Sequence, residues 1–218
     1  MASSVMATQG LRERKAARTR AQISRVAIGL FCSRGFDAVT MTQVAHEAEV
    51  GRATLFAYFP TKEDLVLERV RGNGPVQTVR QRAAGVSLVD ALRAHCHETA
   101  ARFARTDQGD VQGTRRVMGL ILSTPVLRAG LQRLFDQQRE DLAGLLSGED
   151  PGLAGTWRAE VAAAQAMGVV LAVESHIYRW FVSGEPTDAT PAPLAGEIDV
   201  AFDQLAAGLE RCYPKRDD

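Results

Sequence analysis

The stretch Thr40 to Phe59, TMTQVAHEAEVGRATLFAYF, constrains the chain most, because it reads as two short helices joined by a tight turn. Thr40 can N-cap the first helix and Gln43, three residues on, can close a capping box, while Val44, Ala45 and Ala48 supply one apolar stripe. Glu49-Val50-Gly51 makes the turn. A second helix is predicted from Arg52 to about Tyr58, with Leu55 and Phe59 pointing inward at i, i+4 and Gly51, Thr54 and Tyr58 on the opposite face. Helix-turn-helix proteins lay such a second helix in the DNA major groove. The alternative is a helical hairpin that serves only to fill an all-α core.

The flanks weigh on that choice. From Thr19, apolar residues Ile23, Val26, Ala27, Leu30 and Phe31 recur at helical spacing, and Gly35 can end the helix in the left-handed conformation that a helix stop needs. Downstream, Thr61 can cap a helix with Glu63 and Asp64 in its first turn and Leu65, Leu67 and Val70 behind them. Three helices and a linker helix are thereby predicted over residues 19–71.

The run Leu30 to Leu65, LFCSRGFDAVTMTQVAHEAEVGRATLFAYFPTKEDL, resembles the tetracycline-repressor (TetR) family of regulators. The match lies in the Gly-Phe stop, the Thr-rich start, the Ala-Val-Gly turn, the Thr-Leu-aromatic core and the Phe-Pro-x-Lys-Glu-Asp-Leu run. The resemblance implies an all-α protein with an N-terminal three-helix reader of double-stranded operator DNA and a C-terminal helical domain that binds a small-molecule effector and forms a homodimer. By position, it puts DNA contacts at Arg20, Thr42, Gly51, Arg52, Ala53, Thr54, Tyr58 and Lys62. Thr42 and Lys62 would hold phosphates, and Arg52 would either grip a guanine edge with two hydrogen bonds or hold a phosphate. The chain departs from the family where Gly51, Ala53 and Ala57 stand in place of the common Ser, Gly, and Tyr or His, which leaves the reading face poorer in polar groups.

Charge agrees with that layout. The 26 Lys and Arg balance 26 Asp and Glu over 218 residues, yet residues 1–71 hold 11 basic against 7 acidic side chains, a net of +4 that leaves −4 for the remainder. Arg12, Arg14, Lys15, Arg18, Arg20 and Arg25 concentrate the excess, as a solvated face or as a phosphate-binding arm; beside the helix pair the arm is preferred, with residues 1–18 expected to be flexible.

Beyond Arg71, Gly72-Asn73-Gly74-Pro75 marks a junction, and residues 72–218 are expected to form the effector and dimerisation domain. Ser87 caps a helix to about Arg105, a second runs from Val111 to Leu122, and Thr124-Pro125 opens a third that reaches Ser147. Thr156 to Ser183 contains VAAAQAMGVVLAV, apolar nearly all round; at 13 residues it falls short of the roughly 20 that span a bilayer, so a helix buried on several faces and no membrane partner are expected. A last helix carries Leu194, Ile198, Phe202 and Leu205. Two helices with surplus apolar surface imply either a two-fold dimer through Ala163, Ala166, Val170, Phe202 and Leu205, with Gly168 allowing close approach, or a deeply buried helix in one subunit.

Large or polarisable residues that could line an effector pocket are His95, Phe103, Met118 and Ile121, with Phe135, Met167, Tyr178 and Trp180; ordinary core packing is the competing account of each. His95 and His97 stand at i, i+2 and so on different helix faces, which argues against a metal pair. Leu120 to Leu134 resembles a TetR subgroup that senses acyl-CoA-like or other lipophilic molecules, including the regulator of mycofactocin genes. Three dispersed cysteines form no CxxC pair, Cys32 reads as a small core residue, and MASSVMATQG lacks the apolar core of a signal peptide, so a reducing cytoplasm is expected. No Gly-rich phosphate loop, HExxH or GxSxG is found, strand patterns are scarce, and neither an enzyme nor a cofactor is expected. The remaining rival is an architectural DNA-binding protein without an effector.

Overall fold

The computed structural model describes residues 2–68, 70, 74–105, 111–150, 152, 156–183 and 191–209, with the backbone alone at 2–13 and 111. Every element among them is a helix: α1 (Ala2–Arg34), α2 (Met41–Glu47), α3 (Arg52–Tyr58), α4 (Asp64–Leu67), α5 (Pro75–Arg80), α6 (Leu88–Ala104), α7 (Val111–Ser123), α8 (Pro125–Glu149), α9 (Trp157–Ser183) and α10 (Ala192–Leu209). They divide into two compact units. Unit 1 takes residues 1–71 and 119–131, and unit 2 takes 72–118 and 132–218, so both α7 and α8 are shared between the units rather than belonging wholly to the C-terminal part.

Unit 1 is built as its local chemistry dictates. The Thr40 hydroxyl accepts from the Gln43 N–H at 3.2 Å while Gln43 Oε1 accepts from the Thr40 N–H at 2.8 Å, closing the expected capping box. Gly35 at φ +87° stops α1, its N–H donating to the Phe31 carbonyl at 2.9 Å. In the turn between α2 and α3, Glu49 takes the left-handed conformation (φ 54°) and Gly51 is extended as N-cap of α3. Its missing side chain leaves α3 without a side-chain cap. The Thr61 hydroxyl accepts from the Asp64 N–H at 3.2 Å, and the Ser24 hydroxyl donates to the Leu65 carbonyl at 2.9 Å, fixing α4 on α1.

The expected flexible arm is helical, since α1 begins at Ala2. Arg14, Lys15, Arg18 and Arg25 are exposed, and Arg14, Arg18 and Arg25, at i, i+4 and i+11, share one face. Arg12 has no described side chain. Cys32 is exposed rather than a core residue, because Ile23, Ala27, Leu30 and Phe31 turn the inward face of α1 away from it.

In unit 2, α6, α9 and α10 pack against one another and α5 packs on α6. The Ser87 hydroxyl caps α6 through the Asp90 N–H at 3.0 Å. Helix α5 was not expected; Gly74 is its N-cap and Pro75 its first residue. Gln138 Oε1 accepts from the Val76 N–H at 3.4 Å, and a Cβ at Gly74 would stand 2.7 Å from that oxygen, so a side chain there would displace the Gln138 amide.

Helix α9 is 27 residues long, longer than its apolar run implied, and by length and composition alone could cross a membrane. Half of its most apolar window is buried by the protein itself, as in a core helix. Ala163, Ala166, Val170, Phe202 and Leu205 are 0 to 6% exposed, which corrects their assignment to a dimer interface: a side chain covered by its own subunit has no surface left for a second. The small and apolar side chains among the outward positions include Trp157, Val161, Ala164, Gly168 and Ala172 on α9 and Gly196, Val200 and Ala207 on α10.

Candidate functional site

Helix α3 rests on two fully buried side chains, Leu55 and Phe59, which leaves its other faces free. Arg52, Ala53 and Thr54 are exposed, Tyr58 is half-buried, and Thr42 is exposed on α2. The structure thus brings the expected contact residues to the outer side of one helix pair. It adds Phe56, 43% exposed, one turn beyond Arg52 and beside Ala53 and Ala57. An aromatic ring left in water on a seven-residue helix was legible from the i, i+4 step but was overlooked. With Gly51, Ala53, Phe56 and Ala57 together, this face offers methyl and ring surface as much as hydrogen bonds, and apolar contact is how a thymine methyl is recognised in the major groove.

Two of the expected contacts are differently engaged. Arg20 forms a fork with Glu68, Nε to Oε1 at 2.5 Å and Nη2 to Oε2 at 2.8 Å, and its guanidinium lies 5.1 Å from the Phe59 ring centroid. The Glu68 hydrogen bond, its largest influence, holds the Arg20 pKa above its ordinary value. Two donors and the cation face of Arg20 thus join α1 to the turn after α4. Lys62 lies over the Phe36 ring at 4.5 Å and donates to the Asp37 carbonyl at 3.4 Å, which anchors its stem beside α2.

The proposed pocket residues divide as well. His95, Met118, Phe135, Met167 and Tyr178 are buried in unit 2, Phe103 and Trp180 are half-buried there, and Ile121 belongs to unit 1. His95 and Tyr178 meet through a side chain that the sequence reading missed, Glu174, which is only 4% exposed. The Tyr178 hydroxyl donates to Glu174 Oε2 at 2.9 Å, His95 Nε2 lies 3.0 Å from Glu174 Oε1, and His95 Nδ1 lies 3.0 Å from the Thr78 hydroxyl. With Glu174 ionised, Nε2–H is the donor to the carboxylate, and the Thr78 hydroxyl donates to Nδ1 when the ring is neutral. Burial, reinforced by the Glu174 charge, raises the Tyr178 pKa and keeps the phenol a donor. One polar chain therefore links α5, α6 and α9 through an otherwise apolar core. The available signal was an acid one turn before Tyr178, at the end of an apolar run.

His97 turns instead to α10, Nε2 lying 2.9 Å from Asp199 Oδ1, so the i, i+2 histidines do face different partners. Beside Tyr178 lies an aromatic cluster: Phe103 is edge-on to it at 5.6 Å and 4.6 Å from Phe181.

Comparison with known proteins places both parts of the chain. The family described as "Bacterial regulatory proteins, tetR family" matches residues 23–68, and "MftR C-terminal domain" matches residues 86–210. The chain is 29% identical over 203 residues to the mycofactocin biosynthesis transcriptional regulator MftR of Mycobacterium tuberculosis, covering 91% of this chain and 94% of that one. Among solved structures it resembles Thermus thermophilus FadR in complex with lauroyl-CoA, described as a transcriptional repressor (TM-score 0.51, 25% identity, 91% and 97% of the two chains). Salmonella enterica GusR shares the fold (TM-score 0.52, 21% identity, 88% and 96%).

Proposed function

The chain belongs to the TetR family of bacterial transcriptional regulators, and from that premise we propose that it is a cytoplasmic repressor released from a palindromic operator by a small lipophilic effector. TetR-family regulators are soluble, dimeric proteins that bind operators and small-molecule effectors. The observation that carries the reading is the exposed outer face of α3 above its buried Leu55 and Phe59. Arg52 reads a base there, Phe56 and Ala53 contact methyl groups, and Thr42, Tyr58, Lys62 and the Arg14–Arg18–Arg25 face of α1 meet phosphates. FadR, a repressor in complex with an acyl-CoA, supports the sense of control and the apolar effector. Residues 19–71 form the reader, and unit 2 holds the effector beside Tyr178 and Phe103.

Arg52→Ala is expected to flatten discrimination at one operator position, by roughly 1–3 kcal/mol, in gel shifts across single-base operator variants. An equal loss on every variant assigns Arg52 to a phosphate instead.

The dimer is assigned to the outward faces of α9 and α10, whose small side chains Ala164, Gly168, Ala172 and Gly196 let helices approach closely. A Cβ at Gly168 meets nothing within 4 Å, so Gly168→Glu leaves the subunit folded while placing a charge in the interface. Sedimentation at micromolar concentration should show a dimer for the wild type and a single chain for G168E; an unchanged dimer mass puts the interface elsewhere.

A further inference from the structure

We propose that unit 2 binds an organic anion, a carboxylate carried on an apolar skeleton, where α6, α7 and α9 bring Arg102, Arg115, Phe103 and Phe181 together. The proposal rests on the reading of unit 2 as an effector domain and specifies the chemistry of the effector. Each ring of the Phe103–Phe181 pair carries a guanidinium: that of Arg102 lies 5.9 Å from the Phe103 centroid and that of Arg115 lies 5.3 Å from the Phe181 centroid. Residues 72–218 have a net charge of −4, so acids are plentiful, and Arg82 and Arg93 take Glu149 and Asp203 at 2.6 Å. Among the described residues, neither Arg102 nor Arg115 forms an ion pair with an acid.

Arg102 Nη2 donates to the Thr99 hydroxyl at 3.1 Å. Arg115 Nε is buried and has no hydrogen-bond partner. A buried donor on a cation without an acceptor is costly, and the group that relieves it must bring lone pairs and negative charge. A guanidinium presents its N–H groups as a planar fork that matches a carboxylate, and the neighbouring rings of Phe103, Tyr178 and Phe181 offer apolar surface to the rest of the molecule. A cationic ligand meets repulsion here, and one without an acceptor leaves the buried Arg115 Nε unpartnered.

The test is calorimetric titration of the full chain with sodium laurate and lauramide, and with 2-naphthoate and 2-naphthamide, followed by gel shifts on the operator. In at least one pair the carboxylate should bind about tenfold or more tightly than its amide, and the pair that responds identifies the skeleton. Arg115→Met should erase that preference and leave amide binding unchanged. Arg115→Lys, which keeps the charge but loses the fork, should fall between, and Arg133→Gln, an exposed arginine of α8, should match the wild type. Equal affinity of acid and amide, a preference that survives both Arg115 variants, or no binding by any of the four overturns the proposal. Amides that release the operator as well as acids do would leave the effector reading standing without the anion. Carboxylates that bind through Arg115 and release nothing would keep the site and refute the effector reading.

Discussion

Phe59→Ala is expected to unfold unit 1 under conditions where the wild type binds DNA. The ring is fully buried, closes the end of α3 and lies beneath the Arg20 guanidinium. Truncating a buried Phe leaves a cavity that costs about 3–5 kcal/mol, and the lost cation–π contact adds roughly 0.5–1 kcal/mol. A domain's whole stability is about 5–15 kcal/mol, so the loss removes much of it. In a thermal melt the transition of unit 1 should fall by on the order of 15 °C, with operator binding falling alongside it. Helical signal from unit 2 should persist, because α6, α9 and α10 pack against one another in a core of their own. A melt indistinguishable from wild type would show that α3 is held by something other than Leu55 and Phe59. The contrast with Arg52→Ala is informative: both are expected to weaken DNA binding, but Arg52 is exposed, so its removal should leave the melt unchanged.

The second large effect concerns the buried chain in unit 2. His95→Leu removes the imidazole between Thr78 and Glu174 and leaves the buried carboxylate with only the Tyr178 hydroxyl as a donor. Breaking a buried pair in this way costs about 3–5 kcal/mol, since the remaining charge is uncompensated. Replacing the whole polar set is a different perturbation. In His95→Leu/Glu174→Leu/Tyr178→Phe no buried charge remains, so the triple variant should be more stable than His95→Leu alone, by on the order of 2 kcal/mol. Denaturant melts of the single and triple variants check this. Losses that simply add would mean that the three groups do not act as one network. The same chain joins α5 to the helix that carries Tyr178.

The parts of this architecture legible in the sequence were those fixed by neighbours a few residues apart. Thr40 and Gln43 had to cap α2, Gly35 had to stop α1, and Ser87 had to open α6, because each settles backbone groups of its own turn. Leu55 and Phe59 likewise settled which side of α3 faces outward. Choices made by distant partners were not legible. The apolar run of α9 offers alanine on nearly every face, so periodicity does not tell which side α6 and α10 cover, and Ala163 and Ala166, which suit an outer surface equally well, form the inner one. Arg20 looked like part of a basic arm because nothing local announces Glu68, 48 residues away. Glu174 drew no attention because the meaning of a single acid depends on the histidine and tyrosine that tertiary packing delivers to it.

The most direct measurement is a footprint of the purified full chain on the DNA upstream of its own and neighbouring genes, with salt varied. A two-fold symmetric reader whose contacts are largely to phosphates should protect a palindrome at low salt and lose it steeply as salt rises. No protected palindrome at low salt would contradict the central claim.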